Sequence, residues 1–88
     1  MEKIALFPGS FDPFTKGHED IVNRSLKLFD KVVVAIGFNA QKHKRYFDVD
    51  KMVEYINTAF DTDRVEVTVY NELTANLAKT YNAKFLIR

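Results

Sequence analysis

Residues Lys31 to Gly37 read KVVVAIG, with no polar side chain between the two ends. A strand with one wet face alternates apolar and polar positions. A continuous β-branched run instead belongs to a strand covered on both faces, as in a parallel sheet flanked by helices. The rest of the chain supplies partners for such a strand. Ile4 to Phe7 is a second short apolar run, which Pro8 and Gly9 are expected to stop. Val65 to Tyr70 alternates as a strand, and Lys84 to Ile87 gives a fourth. Three segments of helical period lie between them. Glu19 to Phe29 sets Ile21, Val22, Ser25, Leu26 and Phe29 on one face, with acidic residues first and basic ones after, as the helix dipole favours. Asp48 to Phe60 turns Met52, Val53, Ile56, Ala59 and Phe60 inward behind Asp48 as N-cap. Leu73 to Tyr81 carries Leu73, Leu77, Ala78 and Tyr81 on one face, and Asn82 is expected to end it. Strands alternating with helices imply right-handed crossovers, hence an α/β fold with a doubly wound parallel sheet in the order 3-2-1-4. Such sheets bind ligands beyond the carboxyl ends of their strands, at the switch in strand order. Here that point lies between strands one and four.

The 88 residues allow one small domain, which buries only about two-thirds of the surface of its unfolded chain. With 13 basic and 12 acidic residues the formal net charge is +1, so the electrostatics suggest neither nucleic acid nor membrane as partner. Cysteine is absent, which excludes disulfides and thiolate metal sites and agrees with a reducing compartment. The apolar run after Lys3 is cut off by Pro8 and Gly9, too short for a signal peptide, and no apolar stretch reaches membrane-spanning length. A cytoplasmic domain is expected.

The switch point is occupied by Leu6 to His18, LFPGSFDPFTKGH. Strand, glycine turn and helix start together present free backbone N–H groups and the positive end of a helix dipole, a natural site for an anion. Gly9 and Gly17 are expected to supply the sharp turn and the close approach, and Ser10, Thr15, Lys16 and His18 the side-chain donors. The spacing is neither that of the Walker lysine loop nor the dinucleotide GxGxxG. Residues following the other strands converge on the same edge: Lys42 after strand two, Asn71 to Thr74 after strand three, Arg88 after strand four. Taken alone, Lys42-His43-Lys44-Arg45 reads as a solvated loop and Arg88 as a polar tail. Asp12 before Pro13 reads as a turn residue. Phe38, Tyr46 and Phe47 either cover the pocket or belong to the core. His18 and His43 have no carboxylate at ligand spacing, so no metal site is expected, and Ser10 lacks a nucleophile elbow. Backbone amides, cations and a histidine make a site for polyanions, which phosphoryl or nucleotidyl transfer requires.

The block GSFDPFTKGH resembles the signature of the TxGH nucleotidylyltransferase superfamily, whose fold is Rossmann-like. Together with Phe29-Asp30, Lys42, Asn71 to Asn76 and Phe85 to Arg88, it more narrowly resembles the bacterial pantetheine-phosphate adenylyltransferase family. The resemblance implies transfer of adenylyl from ATP to 4′-phosphopantetheine, giving dephospho-coenzyme A and pyrophosphate, with Mg²⁺ accompanying ATP. It implies that His18 is catalytic and touches the ATP phosphates, that Ser10 and Phe11 contact ATP, and that Ser10, Lys42, Thr74 and Arg88 hold phosphopantetheine. The attacking phosphate is already anionic, so no general base is needed. Members of the family are homo-oligomers, typically hexamers, and continue for about the same length again beyond the position of Arg88. The chain thus corresponds to their N-terminal half, residues 1–88 forming one nucleotidylyltransferase unit. Two other readings stand beside this one. The first is a related TxGH transferase acting on cytidine or nicotinamide nucleotides, and the second a non-catalytic nucleotide-binding or self-associating fragment.

Overall fold

A computed structural model describes residues 2–37, 47–70 and 74–87. Strand β1 (Ile4–Gly9) leads into helix α1 (Lys16–Ser25), strand β2 (Lys31–Gly37), helix α2 (Val49–Ala59), strand β3 (Val65–Tyr70), helix α3 (Thr74–Thr80) and strand β4 (Phe85–Leu86). The four strands form one parallel sheet in the order β3-β2-β1-β4. From β1 the chain steps outward through β2 to β3, so right-handed crossovers put α1 and α2 on one face. It then returns past β1 to β4, which puts α3 on the other.

Both faces of β2 are covered, as its sequence requires. Val32, Val34 and Ile36 pack with Phe7, Val22 of α1, and Ile56 and Phe60 at α2. Val33 and Ala35 pack with Ile4, Leu6 and, from α3, Leu77 and Ala78. All five interior residues of β2 are fully buried, and a buried valine or isoleucine contributes about 1.5–3 kcal/mol each. At the start of the β2–β3 pair, Lys31 Nζ meets Glu66 Oε1 at 2.7 Å. That hydrogen bond raises the lysine above its ordinary value, against the opposing effect of burial.

Several boundaries differ from the sequence expectation, each for a physical reason. Strand β1 runs on through Pro8 and Gly9, which pair with Ala35 and Ile36. The carbonyls of Ile4 and Leu6 accept from the β4 side, so the missing N–H of Pro8 falls on that side and its pairing with β2 is undisturbed. Helix α1 starts at Lys16 rather than Glu19, because Thr15 caps it. It ends at Ser25 rather than Phe29. There Lys27 and Leu28 tighten into three-residue turns onto the carbonyls of Arg24 and Ser25. The guanidinium of Arg64, 38 residues further on, takes the carbonyl of Leu26, with that of Phe29 at 2.9 Å and of Asp30 at 3.0 Å. Phe29, though outside the helix, packs on Phe85 with ring centroids 5.0 Å apart. Ala59 is exposed, the inward position at that end of α2 being taken by Phe60. Asn82 does end α3: its φ of 57° is left-handed, and the N–H of Ala83 closes onto Ala78 O at 2.8 Å, a glycine-type helix stop built on asparagine. Strand β4 pairs only Phe85 and Leu86, with Ala5 and Leu6.

Candidate functional site

The register sets the carboxyl ends of β1, β2 and β3 level, with Gly9 opposite Ile36 and Gly37 opposite Tyr70. Ser10 stands exposed just past the end of β1. The chain then reverses at Phe11, whose φ is 44°, and passes a cis Asp12–Pro13 peptide. Neither Gly9 nor Gly17 has a positive φ, so the sharp turn expected of the glycines is made by a phenylalanine. Gly9 is needed for space instead. A Cβ there would lie 2.9 Å from Cζ of Phe11, whose ring packs beneath it. Gly17 sits in the first turn of α1, where a Cβ would approach only Thr15 Oγ1, at 3.5 Å.

Helix α1 points its N-terminus at this turn. Thr15 is the N-cap, and His18 fills the third helical position, where a capping box ordinarily has a carboxylate or amide. The Thr15 N–H donates to Nδ1 of His18 at 2.9 Å, the Thr15 hydroxyl lies 3.1 Å from the same nitrogen, and the His18 N–H reaches back to Thr15 Oγ1 at 3.4 Å. A nitrogen that accepts a backbone N–H carries no proton, so the proton of the neutral ring is on Nε2. Three phenylalanines fix the plane of the ring. Its centroid lies 5.0 Å from that of Phe11, 5.3 Å from Phe14 and 6.1 Å from Phe7. The N–H groups of Lys16 and Gly17 begin the helix and have no partner within it. Two amide donors and a positive dipole end thus lie at the turn, beside a ring whose proton is on Nε2, a set of groups suited to phosphate oxygens.

The turn is also braced from α2. Asp12 Oδ1 accepts the N–H of Phe47, one residue before the cap of α2, at 2.7 Å. The Phe14 N–H donates to Met52 Sδ at 3.5 Å, and the Tyr55 hydroxyl to Glu19 Oε1 at 3.4 Å. Asp12 is therefore a tether between two loops as well as a turn residue. Sequence reasoning missed this, since its partner is 35 positions away. It also missed the His18 cap, although the T-x-x-H spacing matches a capping box with an unusual fourth residue.

Among the expected site residues, the structure brings together Ser10, Phe11 and His18. The Phe11 ring is buried. Thr74 opens α3, just beyond the carboxyl end of β3. Lys42 and Arg88 lie outside the described residues, as do Phe38 and Tyr46; Phe47 is half exposed. Among the described residues no group of three His, Cys, Asp or Glu side chains is placed to hold a metal ion, and no helix is long and apolar enough to cross a membrane.

The family model described as cytidylyltransferase-like matches residues 6–88, which take in most of β1, the turn and the other three strands. The chain belongs to the cytidylyltransferase-like family. Within this cytidylyltransferase-like group it is 64% identical over 89 aligned residues to the phosphopantetheine adenylyltransferase of Cytophaga hutchinsonii, covering 100% of this chain and 59% of that one. It is 48% identical over 85 residues to the enzyme of that name from Flavobacterium johnsoniae, covering 96% and 55%. A third relative of the same name, from Latilactobacillus sakei, is 52% identical over 89 residues, covering 99% and 53%. The chain thus spans between half and three-fifths of these relatives' length. Among solved structures, it superimposes with a TM-score of 0.71 and 25% identity on a bifunctional NMN adenylyltransferase/ADP ribose pyrophosphatase from Francisella tularensis, complexed with AMP and a manganese ion. That match covers 96% of this chain and 30% of the other.

Proposed function

We propose that the chain is the catalytic N-terminal portion of a phosphopantetheine adenylyltransferase, which transfers adenylyl from ATP to 4′-phosphopantetheine. The observation that carries the reading is that the N-terminus of α1 and the side chain of His18, capped through Nδ1, lie at the turn after β1, at the sheet's switch point. The names of the relatives supply the substrates. A phosphate oxygen of phosphopantetheine attacks the α-phosphorus of ATP, and the bond to the bridging oxygen breaks. Pyrophosphate then leaves with the electron pair. The nucleophile is already an anion, so the work of the protein is to position two polyanions and offset the charge that grows on the phosphates.

In this reading His18 donates from Nε2 to the ATP phosphates, assisted by the Lys16 and Gly17 amides. Ser10 and Phe11 contact ATP, by resemblance to the family. Lys42, Thr74 and Arg88 take the phosphopantetheine side, by resemblance to the family, with Lys42 and Arg88 directed at phosphate. The carboxylate of the turn, Asp12, is engaged by the N–H of Phe47, and Mg²⁺ would accompany ATP, held by phosphate and water. The enzyme would be cytoplasmic and homo-oligomeric.

The test is pyrophosphate release from ATP by the chain extended to the length of its relatives, with 4′-phosphopantetheine, nicotinamide mononucleotide or no acceptor. Turnover confined to phosphopantetheine is expected. Turnover on nicotinamide mononucleotide alone would move the chain to the chemistry named for its structural neighbour. ATP binding without turnover on any acceptor would leave a non-catalytic nucleotide-binding module.

A further inference from the structure

We propose that Thr15 is a positioning residue that sets the tautomer of His18, and through it the sign of that side chain's interaction with phosphate. A neutral imidazole offers one N–H and one lone pair. At an anion site the two are opposite in effect: the N–H attracts a phosphate oxygen, and the lone pair repels it. Which one a ligand meets at Nε2 is decided at Nδ1. There the backbone N–H of Thr15 donates at 2.9 Å, and the hydroxyl of the same residue lies 3.1 Å away. Both groups face the same nitrogen, so a proton on Nδ1 would meet a donor head on. The proton is therefore kept on Nε2.

The hydroxyl has a second task. By accepting the His18 N–H at 3.4 Å it closes the first turn of α1 and holds the Thr15 N–H in line. The three surrounding phenylalanine rings resist a flip that would exchange the two nitrogens. Thr15 thus acts through His18, without touching the reacting atoms itself. Its effect on turnover rests on the reading of His18 as a phosphate donor; the tautomer does not.

The experiment reads the two separately. Long-range ¹H–¹⁵N correlation spectra of the 88-residue chain report the tautomer of His18 directly, at a pH where the ring is neutral. The native chain is expected to show the Nε2–H form, T15S the same form, and T15A a mixture with Nδ1–H. In the chain extended to the length of its relatives, kcat should fall about tenfold or more in T15A and recover in T15S, with KM for ATP changing much less. A native spectrum dominated by Nδ1–H overturns the proposal without reference to any variant. So does a T15A chain that keeps a pure Nε2–H ring. The expected spectra together with no effect of ATP on the His18 signals would instead sink the phosphate-donor reading and leave the tautomer assignment standing.

Discussion

Gly9→Ala tests the packing that holds the site. A Cβ at this position would sit 2.9, 3.1 and 3.2 Å from three atoms of the Phe11 ring, closer than carbon atoms pack. The ring cannot simply swing away, being only 4% exposed. It is wedged against Phe7 at 5.1 Å, Phe14 at 5.2 Å and His18 at 5.0 Å between centroids. Overpacking of this kind costs about 1–3 kcal/mol. The φ of Gly9 is not positive, so alanine also gains roughly 0.4–1 kcal/mol by restricting the unfolded chain. The net is a loss of about 1–2 kcal/mol, or about 4–16 °C in Tm for a domain of this size. Gly17→Ala is the control, because its nearest contact is 3.5 Å; it should be unchanged or slightly stabilised. Urea unfolding of the three proteins measures the energies, and the ring resonances of His18 report whether the cage moved. If Gly9→Ala unfolds like Gly17→Ala and leaves His18 unshifted, the glycine is not there to make room for Phe11.

Arg64→Ala leaves three carbonyls in the stretch after α1 to water and should cost about 1–2 kcal/mol in urea unfolding; Arg64→Lys should recover only part, because a single ammonium cannot span them. In the chain extended to its relatives' length, His18→Ala should lower turnover roughly 10²–10³-fold with little change in substrate binding, and near-normal turnover would remove His18 from catalysis. Lys42→Ala and Arg88→Ala should each weaken phosphopantetheine binding more than ATP binding, by an amount that shrinks with added salt; calorimetry showing equal losses for both ligands would refute that division. The 88-residue chain by itself should sediment as a dimer or larger and release little pyrophosphate. Its edge strand β4 exposes Phe85 at 42% and Leu86 at 49%, an apolar edge open to pairing. A monodisperse, active monomer would contradict it.

The amino-acid sequence by itself determined the class of the fold and the order of its sheet. Periodic burial is a local property: KVVVAIG is apolar at every interior position whatever surrounds it, and strand-helix alternation with right-handed crossovers leaves few sheet orders. The turn between Gly9 and His18 reads as a candidate anion site for the same reason, since its hydroxyls and the helix start act within a few residues. Asn82 stopped α3 where its side-chain chemistry said it would. Tertiary structure decided what depends on partners distant in the chain. Pro8 stays in β1 because the backbone group it lacks falls on the β4 side rather than toward β2. Helix α1 ends at Ser25, and Arg64 holds the turn that follows it, taking the carbonyl of Leu26 from 38 residues away. Asp12 became a tether through a backbone N–H 35 positions on. The left-handed residue of the turn is Phe11 rather than a glycine, because burying its ring beneath Gly9 outweighs the strain of its backbone. His18 itself was named by the sequence, but the atom it offers was fixed only when folding brought the N–H of Thr15 onto Nδ1.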